Sequence, residues 1–473
     1  MTGHREPTWE DLARWGRRAA EWGADYHRAI RERPVRSQVS PGEIAAALPE
    51  APPEEAEDME TIFNDVDRIV MPGITHWQHP SFFAYFCSNA TPPSVVADYM
   101  IANLAVQCMI WQTSPAGTEL ETRVLDWLRQ ALDLPEAFHG VVHGSASEAT
   151  LAAVLTMRER TLEWQGNRAG LPGQKRLRIY ATAEVHTSID RAIWVAGIGQ
   201  DNLVRIPTAG PLRSMNSAAL DAAIKSDLAA GRLPTGIISC VGGTSMGASD
   251  DVGRVAEVAR RHGLYLHVDA AWAGNAMICP EFRHLWSGTE DADSVVFNPY
   301  KWIGGQFDGS VHFVRSPEDL TRTLAIKPEY LKTHGADGFI NYSEWSIPLG
   351  RRFRALKLWF LIRAYGLEGL RRRIRDHVAW SEELAGKLRD DDRFEIVTDP
   401  ILSLFTFRLV GKDDASQLDF VNRLNGDGRI YLTQTQVDGR AVVRFQVGQF
   451  GTTRDDVLAA YDVMSELASA TPP

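Results

Sequence analysis

Apolar positions recur at helical spacing over residues 9–30, and Pro34 ends that pattern before a short second helix near Ser40-Pro41-Gly42-Glu43. Pro52-Pro53 and the acidic run after it mark a joint. Residues 59–70 form another amphipathic stretch, closed by Met71-Pro72-Gly73, so this first part reads as a helical arm without a core of its own. Such an arm packs either on a second copy of the chain or on its own chain. From about Thr91 the pattern changes to helices alternating with short apolar runs at 140–144, 178–182, 235–241, 264–268, 294–297 and 310–314. Between two of them, residues 252–261 carry Val252, Val255, Ala256, Val258 and Ala259 at crossover-helix spacing. Strands separated by helices predict an α/β fold, with a mostly parallel sheet covered by helices. Beyond Gly350, helices are expected over 351–365 and 367–388, parted by Gly366. Strands at 394–397, 402–409 and 441–447 and a closing helix over 453–468 follow. The expected organisation is an N-terminal helical segment over 1–90, a large α/β domain over 91–365 and a small C-terminal α+β domain over 366–473.

Composition narrows the function classes. The 473 residues hold ample apolar content for a large core and a smaller one. Lysine plus arginine number 50 against 61 acidic residues, a net charge of -11, which argues against nucleic acid or an anionic membrane as partner and for a small-molecule substrate. Cys87, Cys108, Cys240 and Cys279 form no CxxC pair and no metal-ligand spacing, so neither a disulfide framework nor a zinc site is expected, and a cytoplasmic location is. The polar start of the chain lacks an apolar leader, and Asp98, Asn103 and Gln107 interrupt its most apolar later stretch.

The chemistry-bearing residues sit just after the expected strands, where open α/β sheets bind ligands. Lys301, in Phe297-Asn298-Pro299-Tyr300-Lys301-Trp302, follows one strand, and Asp269, in His267-Val268-Asp269-Ala270-Ala271, ends another. A lysine amine that captures an aldehyde, with a carboxylate that keeps a pyridine nitrogen protonated, is the pair pyridoxal phosphate requires. Gly144-Ser145-Ala146-Ser147-Glu148 opens a helix and offers backbone N–H groups to a phosphate, or else is a capped helix with Ser145 as N-cap and Glu148 closing a capping box. His186 after another strand suits a ring-stacking or proton-moving imidazole, or a structural one. The turn holding Gly242, Gly243 and Thr244 suits close approach to a ligand, or is only a turn. His267 and Asp269 share a strand face, but no third metal ligand stands at recognisable spacing.

A long ordered set of motifs resembles the aromatic L-amino acid decarboxylases, group II pyridoxal phosphate-dependent decarboxylases. It includes Ile69-Val70-Met71-Pro72-Gly73, Thr75-His76-Trp77, Phe82-Phe83-Ala84-Tyr85-Phe86, Ser114-Pro115-Ala116 and Thr118-Glu119-Leu120-Glu121. It continues through Gly144 to Thr150, His267 to Ala271, Cys279-Pro280-Glu281-Phe282-Arg283-His284 and Ile347-Pro348-Leu349-Gly350-Arg351-Arg352-Phe353-Arg354. The resemblance implies fold type I and a homodimer with active sites at the interface, the N-terminal segment embracing the other subunit. It further implies that Lys301 forms the Schiff base with the cofactor, Asp269 pairs with its ring nitrogen and His186 stacks on the ring. Ala146, Ser147 and Asn298 would hold the phosphate, Thr244 and Ala271 would line the cofactor, and Phe86 would meet the substrate.

The polar, glycine-bearing segment 327–338 contains Tyr330, which the resemblance makes the proton donor to the substrate carbon. Relatives with phenylalanine there tend to be aldehyde synthases, so tyrosine implies an amine product. Gly350 matches a position where plant relatives with indole substrates carry glycine, which favours tryptophan or 5-hydroxytryptophan over DOPA, tyrosine or phenylalanine; the neutral reading is a turn before a helix. Tyr300 stands where the family commonly has histidine. Gln107 and Met109 replace apolar and aromatic residues in a segment that reaches the partner's pocket. These departures bear on substrate preference.

Overall fold

The computed structural model describes residues 6–326 and 339–469. The chain opens with α1 (Trp9–Arg28), α2 (Glu43–Ala47) and α3 (Met59–Asp65). Thr8 and Asp11 cap α1 reciprocally, each side chain meeting the other's backbone N–H. Helical hydrogen bonding ends at Asp65 and a wider turn covers Val66–Val70, so the expected 59–70 helix is two pieces. Part of this arm docks on its own chain: Val35 is fully buried with Phe82, Ala84 and Cys87, and its N–H bonds to Gly428 O at 2.8 Å.

Helices α4 (Pro92–Leu104) and α5 (Pro115–Ala131) lead into β1 (His139–His143), α6 (Ala146–Thr161), α7 (Gly166–Ala169), β2 (Leu177–Ala181) and α8 (Ser188–Val195). The short strands β3 (Leu203–Arg205), β4 (Thr208–Ala209) and β5 (Ser214–Met215) precede α9 (Ser217–Ala229), β6 (Leu233–Cys240) and α10 (Val252–His262). Then come β7 (Tyr265–Asp269), β8 (Ser294–Phe297), β9 (Ser310–Val314) and α11 (Pro317–Leu324). The seven-stranded sheet has the order β1-β9-β8-β7-β6-β2-β3. Its pairs from β8 to β3 are parallel, while β9 runs against both neighbours. Side chains of β7 and β8 are buried throughout, as a sheet covered on both faces demands.

The last part is α12 (Ala355–Arg389), β10 (Phe394–Ile401), β11 (Leu404–Leu409), α13 (Asp414–Asp427), β12 (Thr433–Val437), β13 (Arg440–Gln446) and α14 (Arg454–Ser469). Its antiparallel sheet has the order β10-β11-β13-β12 and its own core around Phe405, Phe407, Phe420 and Phe445. Gly366, at φ +64°, breaks the helical path inside α12 as expected from its position. The helix expected from residue 351 starts only at Ala355. Arg351 is diverted inward, where its Nη2 meets Glu121 at 2.6 Å with both side chains buried, and its carbonyl accepts from Cys108 N at 2.9 Å. Among the described residues no helix is long and apolar enough to cross a membrane.

Candidate active site

Five loops meet in one cavity, each leaving the carboxyl end of a strand: β1, β2, β6, β7 and β8. Parallel packing brings the ends of β2, β6, β7 and β8 to one edge of the sheet, and β9, antiparallel to both neighbours, sets β1 in the same direction. The cavity wall includes Phe86, Ala146, Ser147, His186, Thr244, Asp269, Ala271, Asn298 and Lys301, all named above as site residues. Gln107, Met109 and Gly350 are not part of that wall, and Tyr330 lies outside the described residues.

Burial lowers the Lys301 amine to about 8; Asp269 pulls the other way, and Arg444 adds to the lowering. Asp269 is buried, with one carboxylate oxygen accepting from Ala271 N at 3.1 Å. His186 Nδ1 accepts from Ser188 N at 3.1 Å, so the neutral ring carries its proton on Nε2. Burial lowers its pKa, Asp269 raises it, and Lys301 and Arg191 lower it.

The turn after β6 is tight enough to need its glycines. A Cβ on Gly242, at φ +81°, would stand 2.4 Å from Ala273 Cβ, and one on Gly243 would stand 2.9 Å from Glu184 O. Ser145 caps α6, its Oγ accepting from Glu148 N at 3.2 Å. The expected capping box is not closed, because Glu148 reaches past Ser145 to Gly144 N at 3.0 Å and His143 Nδ1 at 3.0 Å. The next N–H groups of the first turn, those of Ala146 and Ser147, have no intrahelical acceptor and belong to the cavity wall.

Sequence reasoning missed Arg444. It lies on β13 behind the cavity wall rather than in it, bordering the site through two wall residues: its Nε donates to Thr244 O at 2.9 Å and its guanidinium lies over Phe86, while Nη1 donates to Tyr85 O and buried Nη2 has no partner among the described residues. Its guanidinium carbon is 4.5 Å from the Phe86 ring centroid, and Lys301 Nζ is 5.1 Å from the same centroid. The missed signal was an arginine inside the otherwise apolar run Ala441-Val442-Val443-Arg444-Phe445, since charge in a buried strand needs a reason.

This donor set fits pyridoxal phosphate. It offers a desolvated amine for the aldehyde, a buried carboxylate for the ring nitrogen, and free helix N–H groups for the phosphate; the small Ala271 adds no bulk to the wall. Fold and site together define a fold type I pyridoxal phosphate enzyme.

The family model for the pyridoxal-dependent decarboxylase conserved domain matches residues 41–410. Aromatic-L-amino-acid decarboxylase of Mus musculus is 39% identical over 97% of this chain and 98% of its own length. Phenylacetaldehyde synthase of Arabidopsis thaliana is 37% identical over 97% of this chain and 96% of its own. The crystal structure of Oryza sativa TDC with PLP and tryptamine is 34% identical and superposes with a TM-score of 0.95, covering 99% of each chain. The chain belongs to the pyridoxal-dependent decarboxylase family and is a pyridoxal phosphate-dependent carboxy-lyase.

Proposed function

We propose that the chain decarboxylates an aromatic L-amino acid to its arylalkylamine and carbon dioxide, with tryptophan or 5-hydroxytryptophan favoured and DOPA, tyrosine and phenylalanine as weaker candidates. The observation that carries this reading is the aromatic wall of the cavity. Phe86 stacks on Trp272 at 4.5 Å, and both belong to the cavity wall, an aromatic surface suited to a planar substrate side chain. The tryptamine bound by the rice relative supports an indole. So does Gly350: an added Cβ would meet Gln107 Oε1 at an ordinary 3.5 Å, so neither crowding nor a left-handed backbone demands glycine there. Outside the cavity wall of its own chain and beside Gln107, its missing side chain would leave volume in a partner's pocket.

Bound pyridoxal phosphate supplies the Schiff-base carbonyl and the electron sink. The chain's own residues do the rest. Lys301 offers the nucleophilic amine, and Asp269 keeps the ring nitrogen protonated. His186, with its proton on Nε2, would face the ring, and the first turn of α6 with Asn298 would hold the phosphate. Arg444 Nη2 holds the substrate carboxylate, and Tyr330 returns a proton to the α-carbon.

The site works in this reading as part of a homodimer in the cytoplasm. Val95, Val96, Tyr99, Met100 and Leu104 leave an exposed apolar face on α4, and Gln107 and Met109 stand outside the cavity of their own chain, as residues serving a partner's pocket would. All four cysteines are free and buried, in keeping with a reducing compartment.

A second reading, oxidative conversion to an aldehyde, is favoured by the 37% identity to phenylacetaldehyde synthase. Product profiling by mass spectrometry on a panel of aromatic amino acids, with oxygen uptake, separates the two. Amine without oxygen consumption supports the first reading, aldehyde with peroxide supports the second, and neither product from any substrate refutes both.

A further inference from the structure

The residue before the Schiff-base lysine is Tyr300, in a place where histidine is common among relatives. Its backbone is held by Asn89, whose N–H reaches Tyr300 O at 2.9 Å, and its ring stands edge-on to Phe307 at 5.0 Å. The side chain shares the cavity wall with Ser145, Ala146, Ser147 and Asn298, the residues around the phosphate-holding helix start.

What its hydroxyl does follows from the direction of two hydrogen bonds. Ser310 Oγ, fully buried, donates to Asn298 Oδ1 at 2.6 Å. That leaves the Asn298 amide nitrogen facing the phenol, with Nδ2 donating to Tyr300 Oη at 3.1 Å. An amide nitrogen only donates, so the phenol oxygen is the acceptor and its own hydrogen must point elsewhere. Asn298 itself is locked, its N–H on Ala271 O at 2.8 Å and its carbonyl accepting from Asn275 Nδ2 at 3.1 Å. Tyr300 is half-buried, so an O–H left without an acceptor there costs free energy, and the cavity it lines is where an anion would satisfy it.

We infer that Tyr300 donates its phenolic hydrogen to the cofactor phosphate, and that the Ser310, Asn298, Tyr300 relay aims this donor. Burial, together with nearby Asp308, raises the phenol to about 12, so it remains a donor at any working pH. A phenol at this place stays neutral where an imidazole would titrate, so this contact adds no pH dependence to retention of the cofactor.

The test is equilibrium titration of apoenzyme with pyridoxal phosphate and, separately, with pyridoxal, which lacks the phosphate. Tyr300→Phe should weaken pyridoxal phosphate roughly 10- to 100-fold, the range of a charge-assisted hydrogen bond, and leave pyridoxal within about twofold. Ser310→Ala frees the Asn298 amide to turn and take the phenol hydrogen itself. That variant should weaken pyridoxal phosphate at least about threefold, again without affecting pyridoxal, and it keeps the test open should the phenylalanine variant fail to fold. An unchanged constant for pyridoxal phosphate in either variant, or an equal loss for both ligands, overturns the assignment.

Discussion

Replacing Arg444 separates the recognition of a carboxylate from the recognition of an aromatic ring. The guanidinium is buried, spends Nε and Nη1 on Thr244 O and Tyr85 O, and keeps Nη2 without a partner among the described residues. A hydrogen bond between a charged donor and a carboxylate contributes about 1.5–3 kcal/mol, equivalent to roughly 10- to 150-fold in affinity. Arg444→Met keeps most of the side-chain volume against the Phe86 ring while removing the donors. Its kcat/KM for the preferred amino acid should therefore fall by at least that factor. Competitive inhibition constants sharpen the test. Binding of an aromatic amino acid should lose roughly 10-fold or more, whereas the matching arylalkylamine, which has no carboxylate, should move by less than about threefold. Equal losses for acid and amine would mean that Arg444 only braces the segments around Thr244 and Tyr85, and would refute the carboxylate role.

Lys301→Ala should abolish turnover together with the borohydride-trappable cofactor adduct, and a variant that keeps either contradicts the central assignment. Because the Lys301 amine titrates near 8, its neutral form grows as pH rises through that value. Capture of pyridoxal phosphate by apoenzyme should accelerate roughly tenfold from about pH 7 to about pH 9, and a flat stopped-flow profile contradicts the lowered pKa. Tyr330→Phe should replace amine by aldehyde, ammonia and peroxide with oxygen consumed; unchanged amine output removes Tyr330 as proton donor. Arg351→Met strands the buried Glu121 carboxylate and should cost about 3–5 kcal/mol in urea unfolding, and a change under about 1 kcal/mol would show the ion pair to be dispensable.

The covered sheet was legible because β1, β2, β6, β7, β8 and β9 are apolar runs bounded by turns, a strong local signal. The direction of β9 was not, since only its tertiary neighbours decide whether a strand joins parallel or antiparallel. Local rules also misplaced ends. Residues 351–354 have ordinary helical preference, but the pull of Glu121 on Arg351 keeps them out of α12. Glu148 has the spacing of a capping box, yet His143, a residue before the turn, offers it a better-placed partner. The same limit applies to the site. Lys301, Asp269 and His186 stand at strand ends and advertise themselves, whereas Arg444 comes from the separate antiparallel sheet and its place beside Thr244 depends on where that sheet docks.

That docking also couples the substrate to the nucleophile. Lys301 feels four influences: burial, which disfavours its charge most, Asp269, which favours it, Arg444, which disfavours it again, and Cys240, which favours it. In the apoenzyme Arg444 thus helps keep the amine neutral and able to attack the cofactor aldehyde. If Arg444 takes the substrate carboxylate, its positive field is offset and the balance at Lys301 tips toward Asp269. The amine then becomes a better proton acceptor once substrate has displaced it, when the chemistry needs a group that carries protons more than a nucleophile. An arginine on β13 would change the lysine's proton affinity in this way without moving it, because its field at Lys301 depends on whether a substrate carboxylate faces it.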